Sequence, residues 1–211
     1  MLVGIIDLGI NNLTSVQRAF SEPLRSTDSL AIIEKESKIG QPDLVVLPGL
    51  GKFGTGMAAL WQRNLVEKIK SWNRDGTKIV GICLGMQLLG TSSEESSEVQ
   101  GLDLIPSIVK KLPGTPSERI PHTGWAETNI TLKPQPFSAL STQGDFYFVH
   151  SYHLIPDEDL DVLTRTPFGE HSFVSSVYSN NVLGFQFHPE KSGKKGKKLI
   201  SEIIDWSRVE D

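Results

Sequence analysis

One stretch constrains this chain more than any other: Lys78-Ile79-Val80-Gly81-Ile82-Cys83-Leu84-Gly85-Met86-Gln87-Leu88-Leu89. Apolar, β-branched residues run up to Cys83 and a helical pattern follows at once. Glycines stand two places before and two places after the cysteine. Gly-x-Cys-x-Gly between a strand and a helix is a nucleophile elbow with sulfur in the serine position. Its turn is too tight for Cβ atoms at the glycine positions. It pushes Cys83 out at the carboxyl end of a sheet, at a helix N-terminus that favours thiolate. The Leu84 N–H is then free to bind an oxyanion. The competing reading is a small buried hydrophobe, and strand, glycines and helix in series favour the elbow.

The surrounding sequence supplies such a sheet. Leu2–Ile6, Leu30–Ile33, Leu44–Leu47 and Lys78–Ile82 are short continuous apolar runs, and Leu13–Phe20 and Leu65–Trp72 carry apolar residues at helical spacing. Continuous apolar strands separated by helices indicate a parallel sheet covered on both faces. From Pro106 to Phe187 the pattern turns alternating and strand-like, as in residues 134–152 and 172–190. Ser179-Asn180-Asn181 reads as a hairpin turn, and Ser192 to Trp206 as a closing helix. With 211 residues, 38% of them hydrophobic, the chain has material for a core. Neither an internal repeat nor a long linker divides it. The expected fold is a single domain over residues 1–211: an α/β three-layer sandwich with a mainly parallel central sheet and an antiparallel extension.

Charge and residue usage exclude several functions. Net charge is −4, a poor match to nucleic acid. A single cysteine forms no internal disulfide and no Cys-based zinc site, and suits a reducing compartment. The five histidines lack metal-ligand spacing, so no metal is expected. The opening MLVGIIDLG has no basic segment and is not a signal peptide. The longest strongly apolar uncharged run, Ile79 to Gly90, is well short of the roughly 20 residues that cross a bilayer. These features point to a cytoplasmic globular protein that binds neither nucleic acid nor membrane.

A cysteine nucleophile needs an oriented base. Gly184-Phe185-Gln186-Phe187-His188-Pro189-Glu190 ends a strand in His, and Pro189 forces a turn. Two residues apart, His188 and Glu190 face one way, so Glu190 holds the imidazole tautomer. Leu44-Val45-Val46-Leu47-Pro48-Gly49-Leu50-Gly51-Lys52-Phe53-Gly54 is another strand entering a glycine-rich loop. Its G-x-G-x-x-G match to a dinucleotide site is weak. Pro48 interrupts the turn, and no acidic residue ends a second strand about 20 positions on. The better reading is a turn whose Leu50 N–H is a second oxyanion donor.

Together these phrases resemble the class I, triad-type glutamine amidotransferases. More narrowly, the chain is similar to the glutaminase subunits of imidazole glycerol phosphate synthases, over nearly its whole length. The narrower resemblance rests on Asp7-Leu8-Gly9-Ile10-Asn11-Asn12-Leu13, Pro48-Gly49-Leu50-Gly51-Lys52-Phe53, Ser93-Glu94-Glu95, Ile120-Pro121-His122-Thr123-Gly124-Trp125 and Phe146-Tyr147-Phe148-Val149-His150-Ser151-Tyr152, with the HPE phrase extended by Lys191-Ser192. It implies Cys83 as nucleophile, His188 as general base and acid, and Glu190 as its orienter. It implies Leu50 and Leu84 as the oxyanion N–H pair. Gln87 and Glu95 would bind the amide and amino ends of substrate glutamine, and backbone at Ser151 and Tyr152 would complete the pocket. Asn12 and Lys191 would lie toward the partner. The implied partner is a (β/α)8-barrel synthase (cyclase) subunit in a heterodimer. It would use the ammonia to make imidazole glycerol phosphate and AICAR in histidine biosynthesis, with no cofactor on this chain. The sequence departs from the family at Leu8, Asn11, Leu50, Thr91 and Ala126, where Tyr, Gly, Val, an acidic residue and Asn are usual. None of these touches the triad. Two alternatives stay open: the same half-reaction serving a paralogous barrel that aminates a sugar precursor, and a free-standing γ-glutamyl Cys hydrolase.

Other features read more plainly. Lys191, Lys194, Lys195, Lys197 and Lys198 form a solvated basic face or a docking strip for an acidic partner. Glu94 and Glu98 read as solvated, His150 and His153 as structural, and Trp61, Trp72, Trp125 and Trp206 as core or interface aromatics.

Overall fold

The computed structural model describes residues 1–10, 12–36, 40–114, 118–131, 137–141 and 144–209. The departure at Asn11 lies outside them. Along the chain, strand β1 (Leu2–Ile6) leads through helix α1 (Leu13–Ser21) to β2 (Ser29–Ile33) and β3 (Leu44–Gly49). Helices α2 (Phe53–Gln62) and α3 (Val66–Arg74) precede β4 (Lys78–Cys83) and the short α4 (Leu84–Leu88). Then come β5 (Ser92–Ser93), β6 (Ser107–Lys111), β7 (His122–Glu127), β8 (Asn129–Ile130) and α5 (Ser138–Ser141). Strands β9 (Asp145–His150), β10 (Tyr152–Pro156), β11 (Val162–Phe168), β12 (His171–Ser179) and β13 (Val182–Phe185) lead to the last helix, α6 (Gly193–Trp206).

Eight strands form the main sheet in the order β2-β1-β3-β4-β13-β12-β11-β8. The first five are parallel to one another, and β12, β11 and β8 extend the sheet antiparallel. Side-chain alternation explains the three layers. Val3, Ile5, Leu44, Val46, Val80, Ile82, Leu183 and Phe185 pack on one face with Val16 and Phe20 of α1 and with Leu199, Ile200, Ile203 and Ile204 of α6. Ile6, Val45, Leu47, Ile79 and Val182 pack on the other face with residues of α2, α3 and α4. Each such side chain contributes roughly 1.5–3 kcal/mol by leaving water.

The expected elements appear with shifted ends, and three differences are informative. Pro48 does not interrupt the turn; it sits inside β3, opposite Ile82 and past Val46, the last residue paired with β1. Its missing N–H therefore falls where the ladder on the β1 side has ended. Helix α2 is additional, and the stretch read as uniformly strand-like contains α5. The hairpin at residues 179–181 forms as expected: Ser179 pairs Val182, and Asn180 takes a φ of 52°. The closing helix starts after a 3-10 turn over Pro189–Lys191. Among the described residues, no helix is long and apolar enough to cross a membrane.

Candidate active site

Cys83 ends β4 with φ 55° and ψ −109°, a left-handed backbone that a side chain adopts only under constraint. The glycines supply that constraint. A Cβ on Gly85 would lie 1.7 Å from the Leu47 carbonyl oxygen, and one on Gly81 would lie 2.7 Å from the backbone of Gly85. Helix α4 thus rests against β3 and β4 with no side chain between. Cys83 is 4% exposed. Its thiol donates to the Val149 carbonyl at 3.7 Å, and its sulfur accepts from Gln186 Nε2 at 3.8 Å.

The parallel pairing of β4 with β13, Phe185 opposite Ile82, carries the His188 turn to the same end of the sheet. Pro189 opens the 3-10 turn, and the His188 N–H donates to the Tyr147 carbonyl at 2.8 Å. Ser192 clamps the turn, its Oγ donating to the His188 carbonyl at 2.6 Å and accepting from the Tyr147 N–H at 3.0 Å. His188 Nδ1–H donates to Glu190 Oε1 at 2.7 Å, both side chains being buried. Nε2 holds no hydrogen bond. Burial acts against the charged imidazole. The pull of Cys83, followed by that of Glu190, outweighs it and lifts the His188 pKa to about 9. The site therefore keeps an imidazolium beside the sulfur.

A cavity of about 310 Å³ opens over Cys83, lined among others by Leu50, Leu84, Gln87, Glu95, Ser151 and Tyr152. It gathers both proposed oxyanion residues, the candidate nucleophile and all four substrate-binding candidates. His188 and Glu190 line instead a narrow crevice with Asn12, Pro48 and Gly49, and Leu50 borders both spaces. Gln87 Nε2 donates to the Tyr152 carbonyl at 2.9 Å and to Gln186 Oε1 at 3.1 Å. Glu95 Oε2 accepts from the Phe53 N–H at 2.7 Å, so this carboxylate also caps α2. The Ser151 carbonyl is engaged by the Leu112 N–H at 2.9 Å.

His150 reaches the cavity as well. Burial holds its pKa down to about 3, so the ring is neutral. Its Nδ1–H donates to the Tyr152 carbonyl at 2.9 Å, which leaves Nε2 to accept from His122 Nδ1 at 3.2 Å. His153 is neutral too, driven by burial to about 4. Sequence reasoning did not single out Gln186, Val149 or Pro121 for the site. Gln186 carried one signal, a polar residue inside the apolar GFQF run.

Of the outer candidates, Asn12 is exposed at the start of α1 and donates through Nδ2 to Ser15 Oγ at 2.9 Å. Lys191 Nζ lies 5.8 Å from the Tyr147 ring centre, and Trp125, 55% exposed, packs edge-on against the same ring. The lysines do not form one free strip: Lys195 donates to the Gly144 carbonyl and Lys197 pairs with Glu22. Glu94 and Glu98 are exposed; Trp72 is core.

Comparison with known proteins follows the same lines. Residues 5–205 match the family described as glutamine amidotransferase class-I. A protein of Prochlorococcus marinus named imidazole glycerol phosphate synthase subunit HisH is 38% identical, over 99% of this chain and 96% of its own. Proteins of the same name from Moorella thermoacetica and Aquifex aeolicus are 39% and 42% identical, over 98% and 94% of this chain and 95% and 94% of theirs. The fold is similar to that in the structure of PurLQS from Thermotoga maritima, with TM-score 0.72 at 18% identity over 97% of this chain and 98% of that one.

Proposed function

The chain belongs to the class I glutamine amidotransferase family, and from that premise we propose that it is the glutaminase subunit of an imidazole glycerol phosphate synthase in histidine biosynthesis. It hydrolyses the side-chain amide of glutamine to glutamate and ammonia and supplies the ammonia to a synthase partner. The observation that carries this reading is Cys83 at a strained elbow, flanked by the buried His188–Glu190 pair and opening on a cavity lined by Gln87 and Glu95. The names of the relatives support the pathway.

In this mechanism His188 Nε2 already carries the proton, as the imidazolium paired with the Cys83 thiolate, and the thiolate attacks the amide carbon of glutamine. The Leu50 and Leu84 N–H groups hold the tetrahedral oxyanion, each worth about 3 kcal/mol of barrier. The imidazolium, held by Glu190, protonates the leaving ammonia as the tetrahedral carbon collapses to a thioester. His188 then takes a proton from water, which attacks the thioester and releases glutamate. Both Gln87 N–H groups are engaged by protein, so its Oε1 receives the substrate amide N–H. Glu95 offers its second oxygen to the substrate ammonium. Main chain at Ser151 and Tyr152 closes the pocket.

Residues 1–211 act as one domain, in the cytoplasm. The partner is a (β/α)8-barrel synthase subunit in a heterodimer, which receives ammonia before bulk water protonates it. Exposed Asn12, lining the His188 crevice, and Lys191, which lies by the Tyr147 ring that Trp125 also packs against, face it.

The test is glutamate release from glutamine, by the chain alone and with a barrel subunit plus its nucleotide ligand. Release should be slow alone, rise sharply in the mixture, and vanish in a folded Cys83→Ala variant. Activity indifferent to this partner would move the assignment to another synthase or to a free hydrolase. Hydrolysis persisting in Cys83→Ala would overturn the nucleophile.

A further inference from the structure

Gln186 is a fully buried amide that touches both the sulfur and the Gln87 side chain. It follows β13, and its main-chain N–H donates to the Ser175 carbonyl at 2.9 Å, which anchors it to β12. Its orientation is decided by hydrogen-bond logic. The Tyr152 carbonyl can only accept, so Gln87 turns its NH2 inward and donates to it at 2.9 Å. The remaining Gln87 N–H then needs an acceptor, and Gln186 Oε1 lies at 3.1 Å. Gln186 is left with its NH2 toward Cys83 Sγ, at 3.8 Å.

Two groups therefore compete for one sulfur. The Val149 carbonyl at 3.7 Å accepts from the thiol and favours S–H. The Gln186 N–H favours the thiolate, and it alone keeps a bond once the proton has gone to His188. A neutral amide does this without adding a charge to a buried site. We propose that Gln186 is a positioning residue for the nucleophile: one end of its amide holds the deprotonated sulfur toward the cavity and the other fixes Gln87. The catalytic consequence rests on the glutaminase reading above; the hold on the sulfur does not.

Cys83 is the only cysteine, so alkylation by iodoacetamide across pH reports this sulfur alone. The titratable groups around it are His188 with Glu190 behind, His150 at the end of β9, and Lys52, Glu95 and Tyr152 on the cavity wall. Gln186→Met removes both contacts. Gln186→Glu keeps an acceptor for Gln87 but turns a non-donating oxygen on the sulfur. The alkylation midpoint should rise by about one pH unit in Gln186→Met and further in Gln186→Glu, with kcat down about tenfold. KM should rise only in Gln186→Met. Unchanged midpoints in folded variants would overturn the proposal. Should neither variant fold, NMR of the wild-type chain decides: the Gln186 side-chain amide must shift with the thiol titration and stop doing so in Cys83→Ser. A resonance that ignores the titration would equally reject it. Alkylation needs no turnover, so a chain that releases no glutamate would sink the glutaminase reading while the sulfur measurement still stands or falls by itself.

Discussion

At the scale of single residues, the candidate site is a set of opposed environments. His188 and His150 are both buried imidazoles near one sulfur, yet one is held charged and the other neutral. The difference is the partner: His188 faces a carboxylate and a thiol, His150 a carbonyl and another imidazole. This carries a prediction for stability. The His188 pKa is raised from 6.5 to about 9, so its stabilising contribution is complete below pH 6.5 and is lost as pH rises through about 9. Urea unfolding midpoints should fall across that window in the wild type and fall less in His188→Gln. Equal slopes in the two proteins would contradict it. Cys83, His188 and Glu190 were legible in the sequence because each sits in a short phrase that forces its own turn. Gln186 was not, because its meaning comes from partners 103 and 99 residues away.

At the scale of elements, the elbow is a contact between backbones. Gly85 meets the Leu47 carbonyl of β3, so the turn depends on a strand that is remote in sequence. Gly85→Ala should cost at least about 3 kcal/mol, because the obstacle is main chain that cannot rotate away. A urea midpoint within experimental error of wild type would show that the strand and helix can separate. The same dependence explains why α2 escaped the sequence reading. Its segment carries two glycines and a nearly all-apolar surface, so no amphipathic stripe marks it. Its first turn is capped from elsewhere, by Glu95 at Phe53 and Ser96 at Gly54, each 42 residues away in sequence. Strands β1, β3 and β4 were visible because strands buried on both faces are written as unbroken apolar runs, and the edge strand β2, only partly buried, still carries the apolar run 30–33.

At the scale of the whole molecule, the two ends of the described chain are tied at one carboxylate. Asp28 receives the Met1 amine at 3.3 Å and two Arg208 nitrogens at 2.6 and 3.2 Å. The Arg208 hydrogen bonds, ahead of the Arg25 N–H, hold its carboxyl well below the usual range. Asp28→Asn should lower the Tm by a few degrees, whereas Glu22→Gln, which breaks an exposed pair with Lys197, should not. Equal Tm values for Asp28→Asn and the wild type would reject the tie. By itself the sequence determined the layered α/β plan, the elbow and the His-Pro-Glu turn, because local periodicity and steric necessity dictate each. Only the tertiary structure decided which strands are neighbours. Pairing β13 with β4 seats His188 beside Cys83, and folding β10 behind α4 lets the Tyr152 carbonyl orient Gln87 and, through it, Gln186. Such contacts join residues with no sequence relation, and a buried amide takes its direction from whichever acceptor the fold leaves beside it.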